Sequence, residues 1–297
     1  MLGNSPLRDL CTRKRSTCTD GGCPIALDRA EHHLASDLTL PGETRVAVAG
    51  DWHSNRLGVR IALGQLHREA PDVRTLLHLG DFNLGSNVPW AAYRKSLLGL
   101  MREFDIERIL VTPGNHDNWA QLSPRFAKHP RDPYPLPGAE SVMFLPRGYR
   151  FSIQGRLFLS FGGAASLDQD ERIAGKDWWP EEEPTQSEAN LAASEGPADI
   201  MLTHEAVAGG TTKVDAIIAR PNHQQFGRRG FEASHRTRTV VTALWSEVQP
   251  SVLFHGHMHE RAEGHLADGR RVYSLARDTM PGNIGVLDLA SLNWKWL

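Results

Sequence analysis

Thr44-Arg45-Val46-Ala47-Val48-Ala49-Gly50-Asp51-Trp52-His53 decides the architecture. Val46 to Ala49 is a short apolar run with nothing polar on either face, so it reads as a strand buried on both sides. Glycine ends it, and a carboxylate and an imidazole follow at once. The pattern recurs twice. Thr75-Leu76-Leu77-His78-Leu79 runs into Gly80-Asp81, and Ile109-Leu110-Val111 runs through Pro113-Gly114 into Asn115-His116-Asp117. Between these strands, residues 56–70 place Val59, Leu63 and Leu66 at helical spacing before Pro71 stops the run. Residues 88–104 align Trp90, Tyr93, Leu97, Met101 and Phe104 on one helical stripe. Alternating strands and helices predict a largely parallel, covered sheet.

Beyond this half, residues 129–140 carry Pro130, Pro133, Pro135 and Pro137, which exclude a helix or an inner strand. Short strands are expected at 142–145, 149–153 and 156–161, and a polar, acidic loop over about 162–186. A strand at 198–202, a helix at 232–248 and a strand at 251–254 follow, then strands at 271–275, 284–289 and 292–296. No internal repeat is present. The second half reads as a mixed or antiparallel sheet, so the expected fold is α/β with two packed mixed sheets and helices outside. Residues 1–40 read as an N-terminal extension, partly disordered or forming one helix over 25–38 with Leu27, Ala30 and Leu34 on one face. Residues 41–297 read as a single domain.

Composition narrows the function classes. The chain of 297 residues has a net charge of -2, which argues against a broad basic field for nucleic acid. Forty per cent hydrophobic residues suffice for a large core, yet no apolar run is long enough to span a bilayer. The N-terminus lacks the apolar centre of a secretory signal, and a cytoplasmic location is expected. The three cysteines, Cys11, Cys18 and Cys23, all fall within the first 23 residues, an odd number that suits a reducing compartment. Together with His32 or His33 they would make four zinc ligands. Six residues separate Cys11 from Cys18, though, against the usual two to four, so a loosely docked extension is the expectation.

The chemistry lies where the strands end. Side chains from several loops converge beyond the carboxyl ends of strands in an α/β sheet. Gly50-Asp51-Trp52-His53, Gly80-Asp81 and Gly114-Asn115-His116-Asp117 all sit there, joined by Leu202-Thr203-His204 and His255-Gly256-His257-Met258-His259. Residues i and i+2 of extended chain point to one side, so Asp51 and His53 are expected to face one ion while Trp52 turns away. His257 and His259 converge likewise. Carboxylate, amide oxygen and imidazole without thiolate suit Mn, Fe, Zn, Ni or Co and are too rich in nitrogen for Ca or Mg.

The ordered pattern GDxH, GD, GNHD, H and GHxH, from Asp51 to His259, resembles the calcineurin-like metallophosphoesterase superfamily. Single pieces are weak signals, whereas all five in order, each after an expected strand, are a strong one. The resemblance implies a four-layer αββα sandwich and two divalent transition-metal ions, Mn2+ first among the choices. It implies that Asp51, His53 and His259 hold one ion, that Asn115, His204 and His257 hold the other, and that Asp81 bridges them. It assigns His116 to the scissile phosphate or the leaving oxygen, with Asp117 orienting His116. Two divalent ions, two aspartates and one bridging hydroxide leave a charge of about +1 to attract phosphate and to stabilise its transition state. Attack by that hydroxide in line, with no protein nucleophile, is the implied mechanism.

Other residues are weighed against it. His78 and His255, inside apolar strands, read as hydrogen-bonded core histidines. His67, His129 and His265 read as solvated. His223 and His235 flank Gly227-Arg228-Arg229-Gly230, which reads either as a loop from which Arg228 or Arg229 reaches a substrate phosphate or as an exposed basic loop. Asp168 to Trp179 holds Arg172, Asp177, Trp178 and Trp179. Similar Gly-Gly-Ala and Trp-Trp-Pro-Glu signatures occur in some bacterial and phage members of the superfamily. Trp178 or Trp179 is expected either to stack on a flat leaving group or to pack as a lid. Gly80 to Gly85 lacks the Asp-Arg-Gly of Ser/Thr protein phosphatases, and Asp117 stands where they carry Glu. The resemblance is therefore closer to enzymes of small phosphodiesters, such as cyclic nucleotides. A broad phosphomonoesterase comes next, then a protein phosphatase, a nuclease and a silent scaffold. A small phosphoester is the expected partner, with no membrane and no extensive nucleic-acid surface.

Overall fold

The computed structural model describes residues 35–82, 90–220, 222 and 226–297. Readings of residues 1–34, among them Cys11, Cys18, Cys23, His32 and His33, lie outside the described residues, as does His223. The chain runs β1 (Ser36–Asp37), β2 (Arg45–Ala49), α1 (Arg56–Glu69), β3 (Thr75–His78), α2 (Trp90–Glu103), β4 (Arg108–Val111) and α3 (Trp119–Lys128). It continues through β5 (Tyr134–Leu136), β6 (Ala139–Phe144), β7 (Tyr149–Ile153), β8 (Arg156–Phe161), α4 (Gln186–Ser194), β9 (Ile200–Thr203), α5 (Thr212–Ile218) and α6 (Arg228–Val248). The last strands are β10 (Val252–His255), β11 (Ala262–His265), β12 (Arg271–Ser274), β13 (Ile284–Asp288) and β14 (Trp294–Trp296).

Two mixed sheets of seven strands result, in the orders β1-β7-β8-β9-β10-β12-β11 and β14-β13-β2-β3-β4-β6-β5. Alternation along single strands builds the layers. Val46, Val48, Leu77 and Leu110 turn to one side and meet Phe151, Phe158, Leu202 and Phe254 of the other sheet. Ala47, Ala49, Leu76, Ile109 and Val111 turn to the other side and meet Val59, Leu63 and Leu66 of α1 and Leu97 and Met101 of α2. On the far sheet Phe161, Met201 and Leu253 face Val241, Leu244 and Trp245 of α6. Both faces of each central strand are thus dry, the physical reason Val46 to Ala49 carries no polar residue. The architecture is the expected αββα sandwich, with six α-helices among the described residues.

Three differences have local causes. Residues 36–37, within the span read as a helix over 25–38, instead form β1 and pair in parallel with β7. The proline-rich stretch supplies β5, which sits at a sheet edge, where a missing N–H costs least. Arg228-Arg229-Gly230, read as loop, is the first turn of α6 with Gly227 as its N-cap. Helices α3, α4 and α5 were not expected, being short with few buried apolar residues. Their N-caps are nonetheless written in the chain: Asn118 caps α3, Thr185 and Glu188 form a capping box on α4, and Thr211 caps α5. No described helix is long and apolar enough to cross a membrane.

Candidate metal centre

Parallel strands β2, β3 and β4 of one sheet, and β9 and β10 of the other, bring their carboxyl ends together. Asp51, Asp81, Asn115 and His204 follow these ends directly and are buried, while His53, His116 and His257 are half-buried and His259 is the more open. Convergence does not come from extended chain, as the i, i+2 reasoning supposed. Asp51, His53, Asp81, His257 and His259 all have positive φ, between 45° and 66°, a region that is unfavourable for non-glycine residues. They are five of the eleven described non-glycine residues in that conformation, so the strain concentrates on the ligand turns, as it does at functional sites. Trp52 turns away as expected, fully buried against His78 and Phe82.

Ligand atoms of Asp51, His53, Asp81 and His259 all lie within 4.8 Å of one another. His259 Nε2 is 3.3 Å from Asp51 Oδ1, and His53 Nε2 is 3.3 Å from Asp81 Oδ2. On the other side His204 Nε2 lies 3.2 Å from Asp81 Oδ1 and 3.0 Å from Asn115 Oδ1. The ring of His257 is 5.0 Å from that of His204. Backbone carbonyls fix the tautomers: His53 Nδ1 donates to Asp51 O at 2.8 Å and His204 Nδ1 donates to Leu79 O at 2.6 Å. Both rings therefore present Nε2 to the centre, as metal-binding imidazoles do.

Electrostatics agree. Burial works against a charged His53, but the hydrogen bond and charge of Asp81, with Asp51, raise its pKa to about 9. Burial likewise opposes a charged His204, and Asp81 and Asp51 raise it to about 10. Asp81 is pushed up by burial, yet the positive charge of His204 and His116 and the hydrogen bonds from His204 and His53 hold it well below the usual carboxylate range. A buried pair of carboxylates thus draws protons onto neighbouring imidazoles when no cation is there. That donor set, oxygen and nitrogen with unbalanced negative charge, fits divalent transition metals.

His116 stands beside the cluster. Its backbone N–H donates to Asp81 Oδ1 at 3.0 Å, and its Nε2 is 3.8 Å from Asp81 Oδ2. Burial, with Arg172 and His53, lowers its pKa against the pull of Asp81. Asp117 accepts the Gly114 N–H at 2.8 Å and so braces the turn that carries His116. His78 is a core histidine, but its ring nitrogens have no hydrogen-bond partner among the described residues. It packs edge-on against Trp52 and Phe82, and burial pushes its pKa down to about 3. His255 is buried with Nδ1 donating to Gly256 O at 3.0 Å.

The family model of calcineurin-like phosphoesterases matches residues 44–261, which contain every one of these ligands. The chain belongs to the calcineurin-like phosphoesterase family. It is accordingly a hydrolase acting on phosphoesters, of a family that depends on two metal ions. No curated protein matches the sequence. One solved structure superposes with a TM-score of 0.52 at 13% identity, covering 86% of this chain and 98% of that one, which supports the fold alone. A structure described as a novel archaeal phosphodiesterase aligns at 16% identity over 85% of this chain and 98% of that chain, with a TM-score of 0.41. A dimetal phosphatase from Danio rerio aligns at 12% identity over 82% and 92%, with a TM-score of 0.47. These two likenesses carry no weight for function.

The residues read as substrate contacts in this phosphoesterase fare differently from one another. Arg228 is highly exposed and pairs with Glu232 one helical turn on. Arg229 sits 5.5 Å over the ring of Trp178 and 3.9 Å from Asp170. Trp179 is buried in the apolar cluster that also holds Trp119 and Leu122 of α3, so its apolar area stabilises the fold. The loop after β8 contributes what the sequence reading missed. Ser166 Oγ accepts from Asn115 Nδ2 at 3.0 Å, which turns Asn115 Oδ1 toward His204. Ser166 N–H donates to the buried Glu182 at 2.8 Å, and burial pushes that carboxyl up to about 8. Arg147 ties down the same loop through the carbonyls of Gly162, Glu181 and Glu182 while lying over Trp119. The Gly162-Gly163-Ala164 and Trp178-Trp179-Pro180-Glu181 signatures bracket Ser166 and adjoin Glu182, and they are the available signal.

Proposed function

We propose that this phosphoesterase cleaves small phosphodiesters, cyclic nucleotides among them, with two divalent transition-metal ions of which Mn2+ is the first choice. The orientation of Asp81 carries the reading: Oδ2 lies 3.3 Å from His53 Nε2 while Oδ1 lies 3.2 Å from His204 Nε2. One buried carboxylate faces two donor groups at once, as a shared ligand must. Asp51, His53 and His259 would hold one ion, Asn115, His204 and His257 the other, and Asp81 both. Such ions, when bound, supply Lewis acidity and make water acidic enough to deliver a nucleophile near neutral pH.

The protein's own groups do the rest. His116 is partly exposed at the edge of the cluster and burial lowers its pKa; in the tautomer that holds its proton on Nε2 it would donate to the leaving oxygen. Asp81 fixes its backbone, and Asp117 fixes the turn. His53, His116 and His259 keep between 25% and 37% of their side-chain surface open, room for a compact ester beside the cluster. The missing Asp-Arg-Gly after Phe82 and the Asp at position 117 favour small diesters over phosphoproteins.

Manganese-loaded protein assayed on bis-p-nitrophenyl phosphate and p-nitrophenyl phosphate tests this. Faster, chelator-sensitive cleavage of the diester is expected. A preference for the monoester would move the assignment to phosphomonoesters, and inertness on both would remove the enzymatic reading. His116→Ala should lose turnover and keep its metal, whereas Asp81→Asn should lose both ions. Full occupancy in Asp81→Asn would rule out the shared ligand.

A further inference from the structure

Arg172 lies 56 residues from His116 in sequence, on the loop between β8 and α4, and none of the motif positions includes it. Its guanidinium is held on one edge and open on another. Nε and Nη2 donate to the two carboxylate oxygens of Asp168 at 2.7 and 2.8 Å, the two-pronged geometry that fixes the plane of the group. Nη1 donates to the carbonyl of Asp177 at 2.9 Å. Of the five N–H groups a guanidinium carries, one on Nη2 and one on Nη1 remain. Nη2 stands 3.5 Å from His116 Nε2, at the outer limit of a hydrogen bond. The side chain keeps 18% of its surface open, at the same mouth as the 25% of His116.

The loop beneath is tightly packed. Gly163, at φ +93°, lies so close to the Glu182 carbonyl that a Cβ there would sit 2.2 Å from it. Gly230 of α6 lets the Leu167 carbonyl approach to 2.1 Å of its missing Cβ. With Arg147 and Ser166, these contacts fix Asp168, and Asp168 fixes Arg172. A charge on a mobile stem would lose entropy on gripping a ligand, while one clamped beforehand does not.

We propose that Arg172 is a phosphate-binding group of the active site, its second Nη2 N–H, which turns toward His116 Nε2 at 3.5 Å, donating instead to a non-bridging oxygen of the substrate phosphoryl. An oxygen about 2.8 Å from both nitrogens would sit roughly 2 Å to the side of the line that joins them. Arg172 reads the phosphoryl group and not the alcohol, so it serves diesters and monoesters alike. Asp168 is its positioning residue. This role rests on the phosphoesterase reading above.

The test uses full-length, metal-loaded protein, with inorganic phosphate as the binding probe. Arg172→Ala should keep both metal ions, bind phosphate at least about tenfold more weakly, and lose on the order of 10²-fold in kcat/KM on both nitrophenyl esters. Arg172→Lys should recover part of the phosphate affinity, because it keeps the charge without the fork. Asp168→Asn should fall between wild type and Arg172→Ala, and millimolar guanidinium should restore activity to Arg172→Ala. If Arg172 only staples its loop, thermal stability falls in the variants while phosphate affinity stays, and the proposal is overturned. An active wild type with an unchanged Arg172→Ala overturns Arg172 alone. A wild type that takes up no metal and cleaves neither ester overturns the phosphoesterase reading, and Arg172's role with it.

Discussion

Gly256→Ala isolates the geometry of the metal centre from the chemistry of its ligands. Gly256 lies between His255 and His257, and its φ is not positive, so alanine meets no backbone penalty there. Its Cβ, however, would stand 2.4 Å from Asp51 Oδ2 and 3.3 Å from Asp51 Cγ and Leu79 O, where ordinary contact begins at 3.4 Å. The carboxylate must retreat by about 1 Å, and metal–ligand distances tolerate only about 0.2 Å. Asp51 has no free direction of retreat: it is fully buried, accepts the His257 N–H at 3.1 Å and faces His259 Nε2 at 3.3 Å. Overpacking of this kind costs about 1–3 kcal/mol, which leaves a domain of this size folded. The metal held by Asp51 should bind at least about 10²-fold more weakly, by analogy with lost second-shell support, and turnover should fall by a similar factor. Metal analysis after dialysis against low free manganese, a melting curve with and without chelator, and diester turnover measure the three quantities. Gly99→Ala in α2, where a Cβ meets nothing within 4 Å, is the control and should be neutral or stabilising by about 0.4–1 kcal/mol. Wild-type metal affinity and turnover in Gly256→Ala would refute the steric account.

Ser166→Ala should free the Asn115 amide, leave Nδ2 without its acceptor at a cost of about 1–3 kcal/mol, and weaken the ion on the His204 side about 10–100-fold while the Asp51 side stays filled. Two equally weakened ions would contradict it. Metal uptake should also release protons, because His53 and His204 are held protonated in the metal-free site, with pKa values of about 9 and about 10. Calorimetric titration near pH 7.5 in two buffers of different ionisation enthalpy should report the release of roughly two protons. Both pKa values exceed the unfolded value of about 6.5, so their contribution to metal-free stability is complete below that pH and is lost as pH rises through 9 to 10. Chelated protein should therefore melt progressively lower across that window, and a flat profile would count against protonated His53 and His204.

The chain itself determined the layers and the list of candidate ligands. Val46 to Ala49 and its two counterparts are dry on both faces, which only strands between helices and a second sheet satisfy, and each ends where a glycine admits a carboxylate, amide or imidazole. Those patterns are local, so residues a few positions apart display them. Tertiary structure alone decided the rest. The candidate ligand turns are left-handed, not extended, and Gly256 comes close to Asp51 across the two sheets. Trp179 went to the core among residues remote in sequence, and Arg228 and Arg229 joined the first turn of α6, where Arg228 pairs with Glu232. Ser166, Asp168 and Arg172 meet Asn115 and His116 across more than 50 residues, held there by a loop whose own composition reads only as polar. A side chain's partners at that separation follow from how two sheets pack, and no periodicity in the chain records it.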